Sequence, residues 1–311
     1  MKDGELNDLS RSAAFLFENN QNPMFQTDEY LRWFYRENPN GKAIERYVDE
    51  EGTRIGHLAG IPQIYHCEGK ELPVVFPLHI LVAPQARGRG LMTKLSEQCF
   101  EVAQKERGVV GFIGMPNANS TPGYTGRLRF RLIRPLPVKV CLPINPAGVR
   151  IRTMPIDSHF LASEEGSELL RSIDYSPGPR WSQKWSPELL RWRLAQPRTH
   201  YCLHVGEGLV GVSCKTRRFG LSFAVILKMF RRSSGMRTSA SSIVTAACIC
   251  HRTVAAIYAG FNATVRVFGI PLPERLKPAP LNLIFRSLDE QVVRQDEFEA
   301  ETMEFLDFDA Y

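Results

Sequence analysis

The sequence predicts a mixed α/β fold built twice in tandem, each copy a twisted mixed sheet flanked by helices. Three observations predict it. The first half orders as helix, helix, antiparallel strands, then strand–loop–helix–strand, an alternation that places helices against a mixed sheet. Short motifs of that half recur in the same order in the second. The 311 residues suffice for two domains, and 43% hydrophobic and 23% charged residues are ordinary for a globular chain.

Residues 5–20 repeat Leu6, Leu9, Ala13, Leu16 and Phe17 at helical spacing, and Asn22 and Pro23 end the run. Thr27 or Asp28 caps a second helix over 29–36, which stops before Asn38, Pro39, Asn40 and Gly41. Strands are expected at 43–48 and 54–61, joined through Glu50, Glu51 and Gly52. A second hairpin turn at Glu68, Gly69 and Lys70 leads into a strand over 74–82. The next helix runs to about residue 106, with Leu91, Leu95, Cys99 and Val102 on one face. Residues 109–115 read as an apolar strand, 117–126 as a loop or short helix, and 130–133 and 138–142 as strands. Prolines between 135 and 155 mark the boundary, giving domains 1–145 and 146–311.

The echoes are short but ordered. Leu31, Arg32 and Trp33 before Pro39 match Leu190, Arg191 and Trp192 before Pro197. Gly52 and Gly56 match Gly208 and Gly211. The apolar run 110–114 before Asn117 matches 255–260 before Asn262, and Pro135, Leu136 and Pro137 match Pro271, Leu272 and Pro273. The second copy is expected to end in strands at 281–286 and 302–308.

Between the strand ending Ile80, Leu81, Val82 and the helix opening at Leu91 lies a turn of Gln85, Ala86, Arg87, Gly88, Arg89 and Gly90. Glycines reach positive φ without steric cost, so such a turn gathers backbone N–H groups. A helix N-terminus adds unpaired donors and a positive field that suit a phosphate. Arg87 and Arg89 add charge, and the stretch reads as a pyrophosphate cradle. The spacings of Rossmann and P-loop phosphate sites are absent from it. The stretch resembles the acyl-CoA signature of the GNAT acyltransferase superfamily. The pattern Gln/Arg-x-x-Gly-x-Gly/Ala is met by Gln85, Gly88 and Gly90, after an apolar-x-Val-x-Pro strand met by Ile80, Val82 and Pro84. Between Lys215 and His251 no such signature recurs; Gly220 and Gly235 stand well apart. The second half thus resembles a degenerate copy that completes the acceptor pocket or covers the first sheet.

The resemblance implies an N-acyltransferase using acetyl-CoA or another short acyl-CoA, in which an amine attacks the thioester directly. It places the cofactor on Ile80, Leu81 and Val82 and on Gln85 through Leu91, with the Val82 N–H as oxyanion donor. Asn117 and Ser120 would meet the pantetheine arm. His79 is the candidate general base, since an imidazole exchanges protons near neutral pH; a histidine held by hydrogen bonds within the sheet is the competing reading. His57 and His66 are weaker candidates. Tyr124 is the candidate general acid, one residue off the superfamily's usual spacing, and packing against core or cofactor is its alternative. Trp33, Tyr35 and Arg36 would border the acceptor site, with core packing the competing reading for the tryptophan.

The net charge of +6 favours an anionic partner without naming it. A small-molecule amine is the expected acceptor, a nucleotide-linked amino sugar first among them, and no nucleic acid is expected. Lys215, Arg217, Arg218, Lys228, Arg231 and Arg232 flank the apolar stretch 219–230 and suit the solvated ends of two strands or a helix. No apolar run reaches the length of a bilayer span, and the polar first residues do not form a signal sequence, so a cytoplasmic location is expected. The seven cysteines are odd in number and lack Cys-x-x-Cys spacing, so neither a disulfide framework nor a metal is expected. Two other classes stay open: tRNA-dependent aminoacyl transfer, as in peptidoglycan-bridge enzymes built from paired GNAT-like domains, and non-catalytic acyl-CoA binding.

Overall fold

The computed structural model describes residues 9–144, 150–218, 220–232, 238–273, 277 and 281–308. Helix α1 (Leu9–Asn20) and helix α2 (Glu29–Arg36) precede three long antiparallel strands, β1 (Ile44–Glu50), β2 (Thr53–Cys67) and β3 (Lys70–Val82). Leu6, expected on the first helix, lies outside the described residues. Asp28 stands at the N-cap of α2, but its carboxylate pairs with Arg32 at 3.0 Å rather than with a backbone amide. Both hairpin turns are tight. Glu51 and Gly52, and again Glu68 and Gly69, all take positive φ, the turn that matches the twist of paired strands.

Helix α3 (Leu91–Arg107) crosses to β4 (Gly111–Gly114), followed by β5 (Arg131–Pro135) and β6 (Val138–Cys141). The second half opens with β7 (Arg152–Pro155), α4 (Ser158–Ala162), α5 (Glu164–Arg171), β8 (Ser182–Gln183) and α6 (Pro187–Leu194). It continues with β9 (Cys202–Val205), β10 (Leu209–Arg218), β11 (Leu221–Arg231) and α7 (Ala240–His251). It closes with β12 (Ala256–Asn262), β13 (Ile270–Pro271), β14 (Asn282–Ser287) and β15 (Thr302–Glu304). Among the described residues, no helix is long and apolar enough to cross a membrane.

Two mixed sheets result. The first runs β1-β2-β3-β4-β14-β5 and the second β13-β6-β12-β11-β10-β9-β7. Apart from the added edge strand β7, the orders are equivalent once the halves are superposed in sequence: β4, β5 and β6 correspond to β12, β13 and β14. The sheets exchange strands between the halves: β14 lies beside β4 and β6 beside β12, and the short β8 also pairs with β2. The repeated proline pairs explain where the chain changes sheets. Pro135, Pro137, Pro271 and Pro273 lack the N–H groups a ladder needs, and after each pair the next strand joins the opposite sheet. The division at 145/146 therefore does not coincide with the sheets, and it falls among residues outside those described. The strand expected at 281–286 belongs to the first sheet. That expected at 302–308 is short and runs into a 3-10 turn at Phe305–Asp307.

The echoed tryptophans meet at the centre. Trp33 and Trp192 stack with centroids 4.8 Å apart. Each indole N–H donates to the other's backbone carbonyl, at 2.9 and 3.1 Å. That reciprocity is what a pseudo-two-fold axis between two copies produces.

Candidate active site

The stretch 80–91 stands at an opening in the first sheet. Strand β3 pairs in parallel with β4 only at Val74–Gly111 and Val75–Phe112, although it continues to Val82. Val74 to Pro77 are buried, whereas Leu78 to Val82 are half-exposed, as expected where a neighbour has splayed away. Ala83 N–H donates to Ile55 O at 2.9 Å, so that position faces β2. Alternation along an antiparallel ladder then turns the N–H and C=O of Val82 toward the open edge.

A bulge lies within this segment. Leu78 pairs with Ala59 and Leu81 with His57, so His79 and Ile80 together oppose Leu58. His79 takes φ +50, the left-handed conformation, which re-aims its side chain. The His57 Nδ1–H donates to the His79 carbonyl at 3.0 Å. His57 is fully buried and stacks on Tyr35, so it secures the bulge from behind. The Tyr35 hydroxyl lies 2.7 Å from His79 Nδ1. Phe25, Tyr30 and Phe34 surround the same imidazole, with centroids 5.1 to 6.0 Å away. Tyr30 and Phe34 were hidden in the aromatic helix 29–36, where apolar spacing reads as core, and Phe25 lies in the turn before it. His66 lies near the far end of β2, opposite Glu71 and Ser182, away from this cluster.

The loop has the geometry of an anion cradle. Pro84–Ala86 form a 3-10 turn, Ala86 is buried, and Gln85 and Arg87 are exposed. Gly88 and Gly90 take φ +80 and +73, and a Cβ at either would meet no atom within 4 Å. Gly90 caps α3, whose first-turn amides have no intrahelical partner. Open space at both glycines, beside unpaired amides, fits the diphosphate of a nucleotide cofactor. Arg89 is engaged elsewhere, in an exposed pair with Glu50 at the end of β1 that lowers the Glu50 pKa.

Across the opening, Asn117 is exposed and its Oδ1 accepts from Ser120 N–H at 3.0 Å. The side chain therefore caps the turn that presents half-buried Ser120. Other expected site residues are placed differently. Trp33 is buried against Trp192 and Arg36 is paired with the buried Glu45, so neither lies open to an acceptor. Tyr35 reaches the site through His79. Tyr124 is buried beside α3, edge-on to Phe130 at 5.1 Å. Burial, with Cys99 nearby, pushes its hydroxyl pKa well up, which describes a packed core tyrosine.

The second copy fills its equivalent opening with its own chain. Strands β11 and β12 pair in parallel at 224–226 and 256–258, and beyond that β15 pairs with β12. Lys228 Nζ donates to Glu304 at 3.2 Å and to Asp307 at 2.9 Å, all three buried. Tyr258 and Asn262 donate to the Glu304 carboxylate, and the Trp185 N–H donates to Asp307. Burial raises the Glu304 pKa to about 7, with Lys228 pulling it down. Gly235, the second copy's candidate loop glycine, lies outside the described residues. A cavity of about 20 Å³, room for a water-sized group, lies between the halves near Phe34, Phe76, Leu78 and Phe308.

Sequence comparison matches residues 5–133 to the acetyltransferase (GNAT) domain family. None of the curated proteins matches it in sequence. Among solved structures, a GCN5-related N-acetyltransferase from Anabaena variabilis is similar, with TM-score 0.60 and 13% identity over 93% of this chain and 72% of that one. A probable N-acyltransferase from Enterococcus faecalis gives 0.59 and 10%, covering 92% and 72%. N-myristoyltransferase from Saccharomyces cerevisiae, solved with bound myristoyl-CoA, gives 0.56 and 11%, covering 90% and 80%. These likenesses span both halves, so the fold of the whole chain is shared with these structures.

Proposed function

We propose that this chain is an acyl-CoA-dependent N-acyltransferase that moves an acetyl or other short acyl group to the amine of a small molecule. The observation that carries the reading is the left-handed Gly88–Gly90 turn capping α3 beside the open edge of β3. Gly88 to Leu91 would hold the diphosphate, and Asn117 and Ser120 the pantetheine arm. Acyl-CoA supplies the activated thioester carbonyl. The Val82 N–H, turned to the open edge, stabilises the oxyanion. His79 takes the ammonium proton on the ring nitrogen away from Tyr35, and Tyr35 holds the ring in place. As the N–C bond forms, the C–S bond breaks, and the thiolate leaves with its electron pair and takes up the second nitrogen proton, giving the amide and the free thiol. Tyr124 has no step in this scheme.

A nucleotide-linked amino sugar is the acceptor to test first, because the net charge of +6 suits an anionic substrate. The experiment is thiol release from acetyl-CoA over amino sugars, polyamines, amino acids and peptides. Release that depends on one amine class supports the proposal. Tight CoA binding without release over the whole panel overturns the catalytic part.

A further inference from the structure

The second sheet carries a cluster that the acyl-transfer reading does not use. Among the described residues, Cys202, Cys250 and His251 bring one ligand atom each to within 4.8 Å of one another. The two sulfurs are 3.3 Å apart. Cys202 begins β9, directly opposite Ser213 on β10, so their side chains share a face. Helix α7 packs on that face and delivers Cys250 and His251 from its last turn. Residues 202 and 250 are far apart in sequence and follow no metal spacing, so only the fold brings them together.

We propose that Cys202, Cys250 and His251 form a binding site for a thiophilic divalent cation of the zinc class. Two thiolates and one imidazole make a three-ligand set of the kind zinc accepts, and the fourth position is left to water. Both cysteines are only half-buried, which gives an ion a way in. The C-terminus of α7 adds the negative end of a helix dipole.

The surroundings of His251 favour a ligand role. Its Nε2 lies 2.7 Å from Ser213 Oγ, and that hydroxyl lies 2.7 Å from Nε2 of the buried His204. Thr153 Oγ1 stands 2.9 Å from the other nitrogen of His204. In one self-consistent arrangement, His251 Nε2–H donates to Ser213, Ser213 to His204 Nε2, and His204 Nδ1–H to Thr153. His251 Nδ1 then keeps its lone pair, and the outer shell fixes the ring as it does around metal-bound histidines. Lys215 lies near the ring. Lys215 repels a cation, and the two thiolates offset that charge. Bound as thiolates, the two cysteines and one divalent cation make a neutral core.

The test uses the full chain, reduced and stripped of metal, titrated with cobalt(II) and then with competing zinc(II). The expected result is one cobalt per chain with a thiolate-to-cobalt charge-transfer band, bleached by zinc. Cys202→Ser and Cys250→Ser each remove the band, while Cys67→Ser leaves it. Ser213→Ala retains both thiolates and weakens binding about 10- to 100-fold, the usual cost of losing an outer-shell partner. Circular dichroism checks that each variant is folded, and Ser213→Ala keeps the test decisive if a cysteine variant is not. No band in the reduced protein overturns the proposal, as does a band that survives in both cysteine variants. A Cys202–Cys250 disulfide in protein that takes up no cobalt after reduction overturns it in favour of a redox pair.

Discussion

Replacing Gly90 by alanine and by aspartate separates backbone geometry from anion binding. Gly90 sits at φ +73, and its Cβ position faces open space. Either substitution costs roughly 1–2 kcal/mol of folding stability for a side chain in the left-handed region. That lowers the unfolding midpoint by about 2–4 °C per kcal/mol. Alanine adds no charge and meets no atom, so CoA affinity should change only a few-fold. Aspartate places a carboxylate where the diphosphate would lie, at the N-terminus of α3. One like-charge contact near 4 Å costs about 1 kcal/mol in water and about 4 kcal/mol at a partly shielded surface. The carboxylate also competes for the same first-turn amides. CoA affinity should therefore fall about 5- to 1,000-fold for Gly90→Asp. Isothermal titration with CoA reads the affinity, and thermal unfolding reads the shared backbone cost. Equal losses for both variants would refute the electrostatic cradle, and no loss for either would place CoA elsewhere.

His79→Ala should lower kcat about 10²- to 10⁴-fold, the usual worth of a general base, and leave CoA affinity unchanged in titration. Tyr35→Phe should give a smaller loss with a displaced pH–rate profile, because it removes the 2.7 Å contact to Nδ1. Tyr124→Phe should keep kcat within about twofold, since the hydroxyl belongs to the core; a large loss would restore it as the acid. Lys228→Met leaves Glu304 and Asp307 buried without their cation and should cost about 3–5 kcal/mol in denaturant unfolding. Glu304 has a folded pKa raised from 4.5 to about 7, so the native state binds the extra proton. Its stabilising contribution is complete below about 4.5 and lost as pH rises through about 7. Glu304→Gln should flatten that part of the stability–pH curve.

Local chemistry was legible in the sequence where it is decided locally. The positive-φ turns at Gly52 and Gly69, the cap at Gly90 and the helix faces follow from residue type within a few positions. The echo of Trp33 in Trp192 pointed to two copies, and the structure turns that echo into a mutual hydrogen-bonded stack. The exchange of β6 and β14 was not legible. Both strands have the same apolar pattern whichever sheet receives them, and the choice is made by pairing partners far away in the chain. Trp33 and Arg36 show a related limit. A helix rich in aromatics and arginine has the composition of a binding face, but the second half claims Trp33 and Glu45 claims Arg36. Cys202 and Cys250 meet only because α7 folds back onto β9 and β10.

One copy is proposed to hold acyl-CoA and the other to have closed its opening with residues 302–308. Amide hydrogen exchange with and without acetyl-CoA, resolved to short peptides, tests it directly. New protection is expected over residues 78–93, at the open edge of β3 and the start of α3, with none at the start of α7. Protection at the start of α7, or none over 78–93 at saturating acetyl-CoA, would contradict it.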